Sequence, residues 1–513
     1  MNLTLAQLFE HNRRHFSAAD ALTVDGVAST YGALGRRVDD IRLVLGGYLD
    51  RGDRVAIWMA NSAAWVASFI AVSSLDAVVV PVNTRLTGAE LRSIVADAGA
   101  RVLLTTSQYR GRQLFEEAVG AFAAEPATPT ILCAEDNADP SDWAVWSGRP
   151  RYETAEVPPG VLCIQYTSGT TSRPKGVILT DASYLRTAAF VASAHLLTPA
   201  TQYLSGSPFF HCSGSMHAIT VCQVAGCTLH TMTQWDPELA ATLTARFHCT
   251  ASHNLFFRDV LALDTGRMRA MLRTMRVAAA VGTPELLMRV HDELDIAGIS
   301  NIYGMTETAG NFTMCFPDDA LPARIHGNGK PQPGNMLRIV DPDTGAVCAP
   351  GKDGEIQMRG PTITTGYFRA PETTRDAFTA DGWLRSGDLG RLGDDGALTY
   401  VARLKDVIRT GGENVSPAEI EEVLLDVAGI EEACIVAAPH ERLDEVPIAV
   451  VTLLPGAAPD WPTVMGTIGA RLAGYKLPRR IYVIDALPKT ATNKVQRIAL
   501  KALLGQGAVT RVL

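Results

Sequence analysis

Residues 55–75 form a run of 21 positions without a single charge. A run of that length either crosses a bilayer as one helix or is buried on every side inside a large fold. Asn61, Ser62, Ser68, Ser73 and Ser74 interrupt it and Asp76 follows directly, so we read a strand at 55–59, then a buried helix, and no membrane span. The neighbouring sequence extends the pattern with an apolar run at 77–82, a helical pattern at 88–98 and another apolar run at 101–104. Short apolar runs alternating with helical stretches predict parallel strands joined by crossover helices. The fold class is therefore α/β. At 513 residues the chain is long enough for about three such units, at roughly 150 residues each.

A net charge of -8 disfavours a nucleic-acid or anionic-membrane partner, both of which favour basic stripes, and leaves a small molecule as the expected partner. The nine cysteines contain no Cys-x-x-Cys pair, which points to a reducing cytoplasm rather than to a disulfide framework or zinc cluster. The N-terminus reaches Glu10, His11 and Arg13 too soon for a signal-peptide core.

Between two apolar runs lies Tyr166-Thr167-Ser168-Gly169-Thr170-Thr171-Ser172-Arg173-Pro174-Lys175-Gly176-Val177. Clustered hydroxyls, glycine and a basic pair suit a loop that wraps a polyanion, although the same composition also serves plain turns. Pro174 and Gly176 occupy positions where the common P-loop needs glycine and a hydroxyl. Downstream, Ser207-Pro208-Phe209-Phe210-His211-Cys212-Ser213 closes a strand with aromatics and a histidine. Tyr303-Gly304-Met305-Thr306-Glu307-Thr308 offers a hydroxyl and a carboxylate, oxygen ligands of the kind that Mg2+ takes, although Thr-Glu also caps helices. Asp388 lies in the glycine-flanked turn Ser386-Gly387-Asp388, where a carboxylate can accept two ribose hydroxyls.

Residues 403–419 introduce a compact C-terminal domain of about 110 residues. Ser416 and Glu419 form a capping-box pattern around Pro417, so a helix is expected to begin there. Two strands, a helix near 464–472 and an apolar run at 481–484 follow. Near the end, Pro488-Lys489-Thr490-Ala491-Thr492-Asn493-Lys494 places lysines in a polar loop.

Taken in order, seven stretches over about 330 residues resemble the adenylate-forming superfamily of acyl-CoA synthetases, luciferases and peptide-synthetase adenylation domains. They are the 166–177 loop, 208–211, 303–308, 386–388, 403–406, 411–414 and 488–494. The resemblance implies a large N-terminal domain of α/β sheets with a β-barrel-like subdomain at 1–402, a hinge at 403–406 and a small mobile α+β domain at 407–513. It also implies ATP, Mg2+ and coenzyme A as partners of a small carboxylic acid, which is converted first to an acyl-adenylate and then to a thioester. Thr167, Ser168, Gly169, Thr170, Thr171 and Lys175 would hold the β- and γ-phosphates, while Thr306 and Glu307 would serve the α-phosphate and the metal. Tyr303, Gly304, Met305, Gly282 and Thr283 would lie along the nucleotide, and Asp388 with Arg403 would hold its ribose. Lys494 would bridge carboxylate and α-phosphate, Lys405 would be the pivot, and Gly411 and Gly412 would approach the thiol. His211 would be a gate or wall of the acyl pocket, with Ser213, Asn254, Gly282, Gly310 and Phe312 also facing the acid. The surrounding composition suggests an apolar acyl group.

Three positions depart from the family pattern. Ser172 replaces a glycine that, held at positive φ, would cost a serine about 1 kcal/mol. Asn493 stands where glycine usually precedes the lysine, and Ala402 where glycine often precedes the arginine. The segment after Phe210 lacks the aspartate that would pair an amino acid's ammonium, which favours a simple acid. An acid-CoA ligase is thus the leading expectation, with a homodimer left open. Loading of a separate carrier protein and a non-catalytic nucleotide-binding homologue are the alternatives, and nothing calls for a luciferase-like oxidation.

Overall fold

The structure, a computed structural model, describes residues 3–136, 138–148, 157–167, 174–253, 256–410, 413–441, 443–472, 474–489, 495–505 and 510–512. It divides into two compact units: Met1–Leu337 with Met358–Arg385 and Asp395–Thr399, and Arg338–Gln357 with Ser386–Asp394 and Tyr400–Leu513.

The uncharged run is the centre of the first unit. It supplies all but the first residue of the strand Arg54–Trp58 and the whole helix Ala63–Ser74, which starts where Ser62 Oγ accepts a hydrogen bond from Trp65 N at 3.0 Å. Ten of this helix's twelve residues are buried, so its lack of charge reflects protein on all sides rather than lipid. Among the described residues no helix is long and apolar enough to cross a membrane. Val55 pairs in parallel with Val79 and with Val102, as the alternation predicts. These strands belong to a seven-stranded sheet ordered Val145–Trp146, Thr130–Cys133, Ala100–Thr105, Arg54–Trp58, Val78–Pro81, Val161–Thr167, Lys175–Thr180. A nine-stranded sheet runs from Lys330–Pro331 through Thr313–Met314, Gly298–Tyr303, Val277–Ala280 and Ala251–His253 to Gln202–Leu204, Thr228–Thr231, Asp20–Val24 and Val27–Thr30. One apolar core takes in side chains of both sheets, such as Ile57 and Leu229, together with Trp65, Phe69 and Tyr184 from helices. Burial of this kind stabilises by about 25 cal/mol per Å² of apolar surface removed from water.

The small β-subdomain is a four-stranded sheet in the order Met336–Val340, Gly354–Arg359, Leu384–Leu392, Leu398–Arg403. The C-terminal α+β region is built on the antiparallel pair Ile430–His440 and Asp444–Leu453, backed by the helices Pro417–Leu425 and Trp461–Arg471. Its first helix begins at Pro417 as expected, but the capping box does not form. Ser416 Oγ donates to Val401 O at 3.1 Å, and the Glu419 carboxylate is drawn to Lys476 Nζ at 2.6 Å. Partners distant in sequence have taken both groups from the local motif.

Candidate active site

Strand Val161–Thr167 runs antiparallel to Lys175–Thr180, and Thr167 faces Lys175 across the ladder. Ser168, Gly169, Thr170, Thr171, Ser172 and Arg173, which link the strands, lie outside the described residues. Lys175 is thereby fixed at the base of the hairpin.

A second segment ties this hairpin to the Thr306–Thr308 turn. Ile178 N donates to Gly366 O at 3.1 Å, Phe368 N to Gly176 O at 2.7 Å, and Thr364 Oγ1 to Ile178 O at 2.7 Å. On its other side Thr364 N donates to Glu307 O at 2.7 Å. Tyr367 completes the link, for its hydroxyl donates to Glu307 Oε1 at 2.8 Å while Lys175 Nζ lies 5.4 Å from its ring centroid. Burial, and then the Glu307 carboxylate, push the Tyr367 phenol above its ordinary pKa, so it stays a proton donor. Glu307 is itself buried, at 8% exposure. Thr306 and Glu307 thus present a hydroxyl and an oriented carboxylate, a donor set that fits Mg2+.

The turn is rigid for internal reasons. Thr308 Oγ1 accepts from Met305 N at 3.0 Å and donates to Met305 O at 2.9 Å, and Ala309 adopts a left-handed conformation. The close approach at Gly304 is made by the chain itself: a Cβ there would lie 2.6 Å from both Asn311 Cα and Gly310 O. Strand Gly298–Tyr303 carries Tyr303 into the turn, and Phe312 N returns to Tyr303 O at 2.8 Å. Gly282 O accepts from Asn301 Nδ2 at 3.1 Å on the same strand, and Thr283 caps the helix Pro284–Leu294. His211 stands at the N-terminal cap position of the short helix Cys212–Gly214 without a side-chain capping bond, and Ser213 Oγ lies 3.5 Å from its Nδ1.

In the second unit, Asp388 and Arg403 form an ion pair, with Nε 3.0 Å from Oδ1. Gly387 takes φ +67, a conformation in which glycine is favoured, and Asp388 N donates to Ser386 Oγ at 3.0 Å. The carboxylate is 2% exposed and so is held in one orientation. Burial, and then Asp388, push the nearby Tyr400 phenol up to about 12. Lys405 lies in the turn Leu404–Asp406, which Arg497 braces through Asp406 at 3.5 Å and Glu421 at 2.6 Å. The Lys405 side chain, Asn254, Gly411, Gly412, Asn493 and Lys494 lie outside the described residues.

Sequence reasoning missed Tyr367, His217, His253 and Asn311. Gly310 and Phe312 were read as acid-facing, yet Asn311 between them is fully buried, and neither of its amide atoms is hydrogen-bonded among the described residues. His217 and His253 stack with centroids 3.6 Å apart, and burial lowers the pKa of both. A buried polar residue flanked by two expected pocket positions was the available signal.

The family model described as AMP-binding enzyme matches residues 9–368, and that described as AMP-binding enzyme C-terminal domain matches 419–494. The chain is 34% identical over 469 residues to a 3-[(3aS,4S,7aS)-7a-methyl-1,5-dioxo-octahydro-1H-inden-4-yl]propanoyl:CoA ligase of Mycobacterium tuberculosis, covering 89% of this chain and 90% of that one. It is 34% identical over 463 residues to the 2-succinylbenzoate--CoA ligase of Geobacillus kaustophilus, covering 88% of each. Among solved structures it is similar to the O-succinylbenzoate Coenzyme A Synthetase (MenE) from Bacillus Subtilis in complex with ATP and magnesium ion. That likeness has a TM-score of 0.79 at 26% identity and covers 96% of this chain and 99% of that one.

Proposed function

We propose a reaction from one premise: the chain belongs to the AMP-binding enzymes, the adenylate-forming superfamily that includes the acid-CoA ligases. It is an ATP-dependent, AMP-forming acid-CoA ligase. A carboxylate oxygen of the acid attacks the α-phosphorus of ATP, the bond to the bridging oxygen breaks and pyrophosphate leaves. The sulfur of coenzyme A then forms a bond to the acyl carbon as AMP departs.

The observation that carries this reading is the bridge through Tyr367, which joins Lys175 on the hairpin to Glu307 on the turn. Two motifs distant in sequence are held together, one with a cation for the leaving pyrophosphate and one with oxygen donors for the reacting phosphate. Bound Mg2+ would neutralise phosphate charge beside Thr306 and Glu307. Tyr367 keeps Glu307 oriented before substrate arrives, so little reorganisation is needed in the transition state. Asp388, paired to Arg403, accepts the ribose hydroxyls. Lys494 supplies the cation between carboxylate and α-phosphate, and the small domain then turns about Lys405 for the thiol step. The unpaired cysteines favour a cytoplasmic setting.

Two relatives named above act, by their names, on a dioxo-octahydroindenyl propanoate and on 2-succinylbenzoate, so the acid proposed here is a cyclic one. The test is pyrophosphate release from MgATP across a panel of cyclic, aromatic and fatty acids, followed by addition of coenzyme A. Acid-dependent release and an acyl-CoA product are expected. Release that proceeds while acyl-AMP persists despite coenzyme A would mean that the acceptor is another thiol.

A further inference from the structure

Beside the Tyr303–Thr308 segment lies a group of buried polar atoms that the adenylation chemistry does not use. The chain passes from the helix Cys212–Gly214 into a π-helical turn, Ser215–Thr220, and back to the helix Val221–Ala225. Turns of this kind recur at functional sites because they redirect a side chain within a helix. Here the turn carries His217, which stacks on His253 at the end of strand Ala251–His253. The Nε2 of His217 lies 3.0 Å from where a Gly310 Cβ would stand. Among the described residues, the Nδ1 of His217, the Nδ1 of His253 and both amide atoms of Asn311 have no hydrogen-bond partner. His217 and His253 are each 2% exposed and Asn311 is 0% exposed.

Some other buried polar side chains in the same unit are bonded, whereas others, such as His195 and Tyr203, have no partner among the described residues. His230 meets Thr23 Oγ1 through Nδ1 at 2.8 Å and Gln202 Oε1 through Nε2 at 2.7 Å. Gln332 Nε2 donates to Asn311 O at 3.0 Å. An unmet buried donor or acceptor is costly, and here four of them fall on two stacked histidines and on the residue after Gly310. His217 reaches Gly310 and stacks on His253, while the Gly310–Asn311 backbone lies against Gly304, next to the turn that carries Thr306 and Glu307.

We propose that His217, His253 and Asn311 form a hydrogen-bonding wall of the acid site, selecting an acyl body with a hydroxyl or carbonyl oxygen beyond its reacting carboxylate. The inference rests on the adenylation reading and deepens it by naming the substrate class. It replaces the apolar acyl group suggested by composition.

The test uses the full chain with MgATP and sets of acids that share one skeleton and differ only in oxygen. Examples are 3-cyclohexylpropanoic, 3-(4-hydroxycyclohexyl)propanoic and 3-(4-oxocyclohexyl)propanoic acids, with equivalent decalinyl and phenyl sets. For the skeleton used best, an oxygenated member should exceed its deoxygenated counterpart in kcat/KM by at least about 10-fold, since a site built to hydrogen-bond a group rejects the analogue lacking it. His217→Phe and Asn311→Leu should each move that ratio towards unity. Equal or better use of the deoxygenated acid by the wild type overturns the proposal, whether or not a variant folds. An unchanged ratio in both folded variants overturns the assignment to these residues. No release with any acid overturns the adenylation reading instead.

Discussion

The Tyr367 hydroxyl donates to Glu307 Oε1 across 2.8 Å, and through it the segment around residue 367 orients a carboxylate that comes 60 residues earlier in the chain. Removing the hydroxyl leaves Glu307 in place but free to turn. Tyr367→Phe is therefore expected to lower acid-dependent pyrophosphate release by about 10- to 100-fold, the usual range for losing a partner that orients a metal-binding group. Glu307→Gln should cost more, about 10²- to 10³-fold, as for other removed transition-state stabilisers. A Tyr367→Phe enzyme that matches the wild type across a Mg2+ titration would sink the positioning role.

Asp388 offers a separate test, because its pairing with Arg403 lies in the second unit. If it holds the ribose, Asp388→Asn should raise the KM for ATP by about 10- to 100-fold, the equivalent of one or two charge-assisted hydrogen bonds. The KM for the acid should change little. Steady-state kinetics with each substrate varied in turn separate the two, and parallel rises would point to a structural defect.

Much of this was legible in the sequence where the signal was local and periodic. The strand and helix within residues 55–75, and the helix Gly88–Ala98, follow from apolar spacing alone. What escaped depends on contacts between distant segments. Tyr367 is one aromatic residue with no local pattern, and it gains meaning only because the backbone at 364–368 pairs with strand Lys175–Thr180. Ser416 and Glu419 had the right local pattern and lost it to Val401 and Lys476. At Gly304 the glycine was legible but the neighbour was not, since the Gly310–Asn311 backbone fills the space beside it.

Lys494 can be tested by separating the half-reactions. Lys494→Ala should slow adenylation by about 10²- to 10³-fold, because a fixed cation is lost where negative charge develops. Transfer from preformed acyl-adenylate to coenzyme A should fall much less. Rapid-quench measurement of each step decides the matter, and equal losses would contradict the proposed alternation of the small domain.

Asp181 predicts a stability gain. Its carboxyl accepts from Leu5 N at 2.8 Å, yet burial raises its pKa to about 6. The folded state thus holds the proton more tightly than the unfolded chain, whose aspartates titrate near 4, so stability falls as pH rises from about 4 to about 6. Asp181→Asn should raise Tm at pH 8 and have a smaller effect at pH 4. A variant less stable than the wild type at pH 8 would show that the Leu5 bond outweighs desolvation.

The buried histidines predict the opposite slope at acid pH. Burial lowers His217 to about 3 and His195 and His230 to about 4, and it depresses His253 as well. An unfolded histidine titrates near 6.5, so between about 6.5 and 4 the unfolded chain binds protons that the folded chain refuses. Their contribution is fully present above pH 6.5 and is lost as pH falls towards the folded values. At pH 5 each such group lowers stability by up to about 2 kcal/mol relative to neutral pH. Neither ring nitrogen of His195 is hydrogen-bonded among the described residues, so His195→Phe removes one of these protons without breaking a described bond. Urea unfolding at a series of pH values should show uptake of several protons by the wild type between pH 6.5 and 5, and about one fewer by the variant. Stability that is flat across that range, or imidazole resonances of the folded protein that titrate near 6.5, would mean that these rings are charged or hydrated in the native state.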